Sequence, residues 1–133
     1  QQVETMTFSQ GELIGHEEYP PVFAIYLNEH VPLETSIGRE VLFDLSQYGP
    51  ATLIIEDFLL DEEGNIRYEQ LRMNTALDVP YYKTSNAYPL VEHSASVISS
   101  VYEAEVLRGI CVRMTNESDN MYVFVLKVGR TGG

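Results

Sequence analysis

The stretch LLDEEGNIRY, residues 59–68, sets acidic side chains between two apolar runs and could bind calcium or form a turn. Read as an EF-hand loop from Asp61, it supplies oxygen ligands at the first, third and fifth positions. However, Ile66 occupies the sixth position, where glycine is needed, and Arg72 occupies the twelfth, where a bidentate glutamate is needed. Gly64 instead suits the left-handed position of a hairpin loop. The sequence therefore predicts a hairpin turn and no metal site.

Three histidines and one cysteine are further residues that could act on a substrate or hold a metal. His16, His30 and His93 each stand beside a carboxylate, but their spacing is not that of zinc ligands on one helix. Cys111 could be a thiol nucleophile, although a lone cysteine within a strand is more often a packing residue. No catalytic residue and no cofactor is predicted. The alternative is a metal-dependent or hydrolytic enzyme whose site is assembled from scattered residues, namely His16, Glu92, His93 and Cys111.

Glu56 and Asp57 are adjacent acids of the kind that serve glycosidases as acid and nucleophile. Both fall inside a predicted strand, where neighbouring side chains point to opposite faces of the sheet. The two carboxylates are therefore not expected to line one cleft.

The segment DVPYYKTSNAYPL, residues 78–90, concentrates tyrosines in a polar stretch bracketed by prolines. Tyrosine gives a large amphipathic contact area at a small entropic cost, so it is common in recognition surfaces. We expect a ligand-binding surface here, to which the YPP stretch at 19–21 could add a ring. The alternative is that these rings close the open end of the fold and pack on its core. The candidate binding residues are Tyr19, Tyr81, Tyr82 and Tyr88.

Short β-branched and aromatic runs separated by turn residues predict strands along most of the chain. The last of them, MYVFVLKV, is apolar on both faces, which is typical of a central strand. A further strand, VETMTFS at 3–9, is the candidate edge of a sheet. The other predicted strands cover residues 22–28, 40–45, 52–60, 66–73 and 106–115.

Residues 90–105 fit two structures. Val91, Ala95, Ile98 and Tyr102 share a helical face, whereas the β-branched residues and serines favour a strand. A strand is the preferred prediction, and a short helix near 91–102 is the alternative.

These elements predict an all-β protein: an antiparallel β-sandwich of seven to eight strands, immunoglobulin-like in the broad sense but without the Cys, Trp, Cys signature. The 133 residues suffice for one hydrophobic core, so a single domain over 1–133 is expected, with a frayed tail at 129–133. No internal repeat is evident.

The chain carries 20 acidic and 8 basic side chains, a net charge of -12. Such a surface repels phosphate backbones and anionic lipids, so nucleic acid is not an expected partner. No apolar run is long enough to cross a membrane. The chain begins with Gln1, which is typical of a protein from which an upstream segment was removed. The sequence thus predicts a non-enzymatic extracytoplasmic binding or accessory module, such as the folded part of a bacterial secreted protein or lipoprotein, that recognises a protein or surface through its loops. A third possibility is an assembly subunit that pairs through an edge strand.

Overall fold

The computed structural model describes residues 3–6, 12–15, 22–46, 49–98 and 104–129. It contains one α-helix, α1 (Val22–Glu29), in this part of the chain, and two short 3-10 helices, Glu69–Leu71 and Ser94–Ile98. The strands are β1 (Val3–Met6), β2 (Glu12–Gly15), β3 (Leu33–Ser36), β4 (Glu40–Asp44), β5 (Ala51–Leu60), β6 (Ile66–Arg67), β7 (Met73–Val79), β8 (Ser85–Pro89), β9 (Glu105–Met114) and β10 (Glu117–Gly129).

Seven strands form the main sheet, whose centre is the antiparallel series β10, β9, β5. Both β2 and β3 pair with the outer edge of β10, and both β6 and β7 pair with the outer edge of β5. The small sheet has the order β1, β4, β8. The β1–β4 and β3–β10 pairs are parallel, so the sheets are mixed rather than purely antiparallel as predicted.

The main sheet is covered on both faces because its central strands are apolar on both sides. On one face Phe124 and Val112 pack against Phe43 and Val41 of the small sheet, in the larger hydrophobic core. On the other face α1 covers a second core, which contains Val22, Phe23, Tyr26, Phe58, Leu60, Cys111, Met121, Val123 and Val125. The mostly β character of the chain and the central place of β10 are confirmed.

The predicted strand over 22–28 is wrong, since Val22–Glu29 is a helix. A short apolar run bounded by turn residues fits a buried strand or a buried helix equally well by periodicity. Here the helix buries Val22 and Phe23, together with Tyr26 about one turn later, against the main sheet.

The predicted strand over 66–73 is divided in two. Tyr68 adopts a left-handed conformation, with φ of 55°, and the 3-10 helix Glu69–Leu71 follows it. This interruption ends β6 after Arg67 and lets β7 begin at Met73. Part of the predicted 78–90 loop is also a strand, β8, which pairs with β4.

The acidic stretch at 59–68 forms the predicted hairpin turn between β5 and β6. Gly64 has a positive φ of 90°, and its amide donates to the Asp61 carbonyl at 3.1 Å. Asp61 Oδ1 accepts from the amides of Glu63 and Asn65, both at 2.9 Å. Slight burial works against the ionised form of Asp61, but these hydrogen bonds outweigh it and lower its pKa. The carboxylate thus stabilises its own loop.

Within residues 90–105, where the sequence favours a strand, the structure has the 3-10 helix Ser94–Ile98, in line with the short-helix alternative. Residues 99–103 lie outside the described part, as do Tyr19, His16 and the predicted tail beyond Gly129. None of the helices in the described ranges is long and apolar enough to cross a membrane.

Candidate functional site

The most exposed aromatic side chains in the described part of the chain are Tyr81 and Tyr82, at the turn between β7 and β8. Their exposed fractions are 85% and 73%. The two rings stand edge to face, with centroids 5.4 Å apart and an interplanar angle of 86°. Edge-to-face pairing orients each ring against the other, so the two tyrosines present a defined aromatic surface to solvent.

The backbone beneath these rings is held by hydrogen bonds. The Lys83 amide donates to the Pro80 carbonyl at 2.9 Å and closes the turn, while the Pro80 ring fixes its own φ. Asn86 Nδ2 donates to the Asp78 carbonyl at 2.8 Å, which links the strand that enters the turn to the strand that leaves it. The tyrosines therefore stand on a restrained turn, which lowers the entropy lost on binding.

A cleft of about 440 Å³ opens beside Tyr82 at the end of the main sheet. Pro50, Val79 and Pro80 give it apolar surface, and Thr52 and Asp78 give it polar surface. The Thr52 hydroxyl donates to Asp78 Oδ1 at 2.8 Å, so the carboxylate is oriented but retains acceptor capacity. Such a cleft can receive a side chain that has an apolar body and a hydrogen-bond donor.

A second cleft, of about 430 Å³, lies near the opposite end of β5. It is lined by Leu60, Val106 and Leu107 among others, with acidic groups at its rim. Two of the three acidic groups are already engaged: Asp61 by its own loop, and Glu105 by Lys127, whose Nζ lies 3.8 Å from Glu105 Oε1. The tyrosine turn is the stronger candidate.

The other two predicted binding residues do not join this surface in the described structure. Tyr88 is buried, with 3% of its surface exposed, because β8 pairs it with Val41 and directs its ring into the larger core. The alternative prediction, that the tyrosines pack on the core, therefore holds for Tyr88 alone of the three described. Tyr19 lies outside the described residues.

Tyr88 instead belongs to a buried polar cluster, formed by Asp57, Tyr88, His93 and Arg108. Arg108 binds Asp57 through two parallel hydrogen bonds, from Nε to Oδ1 at 3.0 Å and from Nη2 to Oδ2 at 2.6 Å. The Tyr88 hydroxyl donates to Asp57 Oδ2 at 2.5 Å. Arg108 Nη1 donates to the Val91 carbonyl at 2.8 Å. The cluster thus joins β5 and β9 of the main sheet to β8 of the small sheet.

His93 completes the buried polar cluster as a neutral ring. Its Nδ1 accepts from the Ala95 amide at 3.0 Å, so the proton lies on Nε2, which donates to the Asp57 carbonyl at 2.7 Å. Burial lowers the pKa of His93, and the nearby Asp57 only partly offsets this effect. Because both ring nitrogens are engaged and the ring is buried, His93 fixes the 93–98 segment rather than facing a substrate.

The pKa values of the other two cluster members follow from the same burial. Desolvation disfavours the charged form of Arg108, but the hydrogen bonds and charge of Asp57 outweigh it and raise the pKa of Arg108. Burial, followed by the charge of Asp57, raises the pKa of Tyr88. Arg108 is therefore cationic and Tyr88 is neutral, the protonation states that their hydrogen bonds require.

The sequence contains a signal for the buried polar cluster that strand assignment alone does not use. Asp57 is odd-numbered, as are the buried Leu53, Ile55 and Leu59 of β5, so its side chain points to the same face of the sheet. Arg108 is even-numbered, as is the buried Ile110 of β9, and it also points inward. Opposite charges at inward positions of two strands indicate buried charges that need a partner, and the pairing of β5 with β9 brings them together. The prediction that Glu56 and Asp57 face opposite ways is confirmed, since Glu56 instead lies 3.2 Å from Arg72 Nε.

The scattered residues of the enzyme alternative are not brought together where the structure describes them. His93 contacts Asp57 on the face covered by the small sheet, whereas Cys111 lies in the core under α1, on the other face. Burial, followed by the charge of Glu56, raises the pKa of Cys111, so its thiol is protonated. Glu92 is exposed, and the described ranges contain no group of three or more potential metal ligands.

Stability should depend on the protonation of His93. The folded pKa of His93 is below its ordinary value of 6.5, so between the two values the unfolded chain binds more protons than the folded chain. The free energy of unfolding should therefore fall as the pH drops below about 6.5, with a contribution of at most about 1.4 kcal/mol per pH unit from this one group. Urea unfolding at a series of pH values measures this dependence.

His93→Gln is the matched variant, because it removes only this titration and leaves the other histidines in place. The difference in unfolding free energy between wild type and His93→Gln should narrow as the pH falls from 7 toward 5. Parallel pH profiles for the two proteins would contradict the assignment of a neutral, buried His93.

Comparison with protein families, curated proteins and solved structures found no match for this chain.

Proposed function

We propose that this chain is a non-enzymatic extracytoplasmic binding or accessory module, and that it recognises a protein or cell-surface partner through Tyr81 and Tyr82. The observation that carries the proposal is the exposure of two mutually oriented tyrosines on a hydrogen-bonded turn. Contiguous exposed apolar surface on a soluble protein often marks an interaction site, and tyrosine is common in recognition surfaces. The immunoglobulin-like sandwich stays a prediction, on which this role does not depend.

The chemistry of the partner follows from the surroundings of the two rings. The adjoining cleft offers apolar walls and the oriented carboxylate of Asp78. The whole chain carries a net charge of -12, which attracts cationic partners over long range. A partner that places a lysine or arginine beside an apolar patch would satisfy both the cleft and the tyrosine rings, since such cations also stack on aromatic faces.

The buried polar cluster supports a structural role for the side chains that could otherwise suggest catalysis. Asp57 and Arg108 have exposed fractions of 0%, and their hydrogen bonds are made within the fold. An active site needs such groups in contact with substrate. An enzyme remains the alternative function, and it would have to use residues other than this cluster or Cys111.

The double substitution Tyr81→Ala, Tyr82→Ala should weaken binding to the partner at least about tenfold, since exposed aromatic anchors commonly contribute about 2 kcal/mol or more when truncated. The measurement uses the purified, fluorescently labelled full chain and intact cells of the species that encodes it. Saturable binding that is lost after protease treatment of the cells indicates a protein partner. Binding that survives the treatment indicates a surface polymer.

Tyr68→Ala is the matched control, because Tyr68 is also partly exposed, at 42%, but lies away from the turn. It should leave the binding curve unchanged. If the double variant is folded and binds as wild type does, the tyrosine turn is not the site. If the wild-type protein does not bind the cell surface at all, the extracytoplasmic role is wrong.

A further inference from the structure

The second cleft, at the end of β5, opens at the margin of the core beneath α1. Leu60 and Leu107 line it, and the β5–β9 register places these two residues opposite each other. Leu60 belongs to the core beneath α1, and Leu107 packs against that core. Pro32, in the connection from α1 to β3, adds further apolar surface. A ligand in this cleft would therefore contact apolar side chains that are fixed by the central strands.

The volume of this cleft suits a small organic molecule. Its 430 Å³ equals the volume of about 14 water molecules at about 30 Å³ each. It also lies in the range of roughly 300 to 1,000 Å³ that is typical of ligand pockets. A single lysine side chain inserted by a protein partner would fill only a minor part of it. The size therefore favours a small ligand with an apolar body over one side chain of a protein.

The charged groups around the cleft favour a cation. Three carboxylates line it, those of Asp61, Glu62 and Glu105, against one ammonium, that of Lys127. The Glu62 carboxylate has neither a hydrogen bond nor an ion pair in the described structure. The Asp61 carboxylate is held by its own loop, but its charge still adds to the negative potential. These groups, and at longer range the net charge of -12, repel an anion.

Lys127 does not close the cleft to a cation. Its Nζ lies 3.8 Å from Glu105 Oε1, which is longer than a hydrogen bond, and the two side chains are 42% and 55% exposed. Exposed ion pairs of this kind contribute little free energy, so breaking one costs little. The ammonium of a ligand can therefore replace Lys127 as the partner of Glu105, while Glu62 supplies a second carboxylate.

We propose that this cleft binds a small organic cation that carries a primary ammonium on an apolar body, such as an arylalkylamine. The ring packs on Leu60 and Leu107, and the ammonium lies beside Glu62 and Glu105. The ten residues of β5, at about 3.3 Å each, separate this cleft from the cleft beside the tyrosine turn by about 30 Å. The inference therefore goes beyond the proposed function and does not depend on it.

Tryptamine, which carries a primary ammonium on an indole ring, is the probe. Titration of the isotope-labelled full chain, followed by amide chemical shifts, should give saturable shifts at Leu60, Glu62, Leu107 and Lys127. We expect a dissociation constant of about 1 mM or lower, as is usual for a ligand of this size. Indoleacetate, which has a carboxylate in place of the ammonium, and ethylamine, which lacks the ring, should each bind at least about tenfold more weakly.

Glu62→Gln removes one negative charge from the cleft and keeps the shape of the side chain. It should weaken tryptamine binding about threefold or more, the effect expected of an exposed ion pair. Glu63→Gln is the matched control, because Glu63 follows in the same exposed turn and does not line the cleft. It changes the net charge equally and should leave the dissociation constant unchanged.

Lys127→Met tests the competition between Lys127 and the ligand for Glu105. It frees the Glu105 carboxylate and removes the cation from the cleft, so tryptamine binding should tighten about twofold or more. Lys83→Met is the matched control, since it makes the same change in net charge at the turn between β7 and β8. It should leave tryptamine binding unchanged.

The absence of saturable shifts at the cleft up to about 10 mM tryptamine would overturn the proposal. So would equal weakening by Glu62→Gln and Glu63→Gln, because only the overall charge would then matter. Shifts confined to Thr52, Asp78 and Tyr82 would also overturn it, since the amine would then occupy the cleft beside the tyrosine turn. The Tyr81→Ala, Tyr82→Ala variant should bind tryptamine as the wild type does, which separates this site from the proposed partner site.

Discussion

Replacing Arg108 by methionine should destabilise the fold by about 3 to 5 kcal/mol, one of the largest effects expected of a single substitution in this chain. The reason is the charge that remains. Asp57 would stay fully buried with its two charge-assisted hydrogen bonds from Arg108 removed, and the Val91 carbonyl would lose its donor. Chemical denaturation followed by circular dichroism measures the change, as a lower midpoint with an unchanged slope.

Two comparisons show that burial, rather than charge as such, sets the size of this effect. Lys127→Met breaks the exposed contact with Glu105 and should cost less than about 1 kcal/mol. The triple variant Asp57→Leu, Tyr88→Phe, Arg108→Met removes the buried ions and the hydroxyl together, and should recover most of the lost stability. If Arg108→Met lowers the free energy of unfolding no more than Lys127→Met does, then Arg108 is not buried in an ion pair.

The buried polar cluster also shows which features of the chain a sequence can predict. Alternation identified β5, β9 and β10 because each is long and apolar on its inward face. The same alternation places Asp57 and Arg108 on inward faces. What alternation cannot supply is the register between β5 and β9, which decides whether the two charges meet. The alternation of side chains therefore places both charges inside the fold, but only the register between β5 and β9 brings them together as an ion pair.

The tyrosines illustrate a second limit of prediction from sequence. Tyr81, Tyr82 and Tyr88 belong to one polar, proline-bracketed stretch, and local composition gives them the same expected environment. Their burial differs because β8 pairs with β4, a strand that lies far earlier in the chain. That pairing places Tyr88 opposite Val41 and leaves the other two at the turn. Long-range pairing, not propensity, separates the core tyrosine from the exposed ones.

The helix α1 illustrates a third limit of prediction from sequence, because its packing depends on Gly109 in β9. Its residues 22–28 are consistent with a strand by composition, and they form a helix that packs on the main sheet. The Phe23 ring packs directly over Gly109 of β9. It also contacts the Phe58 ring, with centroids 5.7 Å apart. A glycine within a central strand often marks such a close approach. The sequence showed the glycine but not what it accommodates.

Gly109→Ala should therefore destabilise the fold by about 1 to 3 kcal/mol, although replacing glycine by alanine within a strand is ordinarily favourable. A Cβ at this position would lie 2.6 to 2.8 Å from three atoms of the Phe23 ring, closer than real carbon contacts, so α1 would have to shift on the sheet. The midpoint of chemical unfolding measures the change. Gly129→Ala is the matched control on β10, because its nearest atoms would lie 3.7 Å away, and it should be neutral or slightly stabilising.

A double-mutant cycle identifies the Phe23 ring as the cause. Phe23→Ala alone should cost about 3 to 5 kcal/mol, because it leaves a cavity between α1 and the main sheet. In the Phe23→Ala background the clash is absent and the added methyl group partly fills the cavity, so Gly109→Ala should become neutral or stabilising there. If Gly109→Ala costs the same in both backgrounds, the strain lies in the β9 backbone and not in the contact with α1. Gly109→Ala changes from destabilising to stabilising only if α1 packs over Gly109. A strand at residues 22–28 would not place the Phe23 ring at that position.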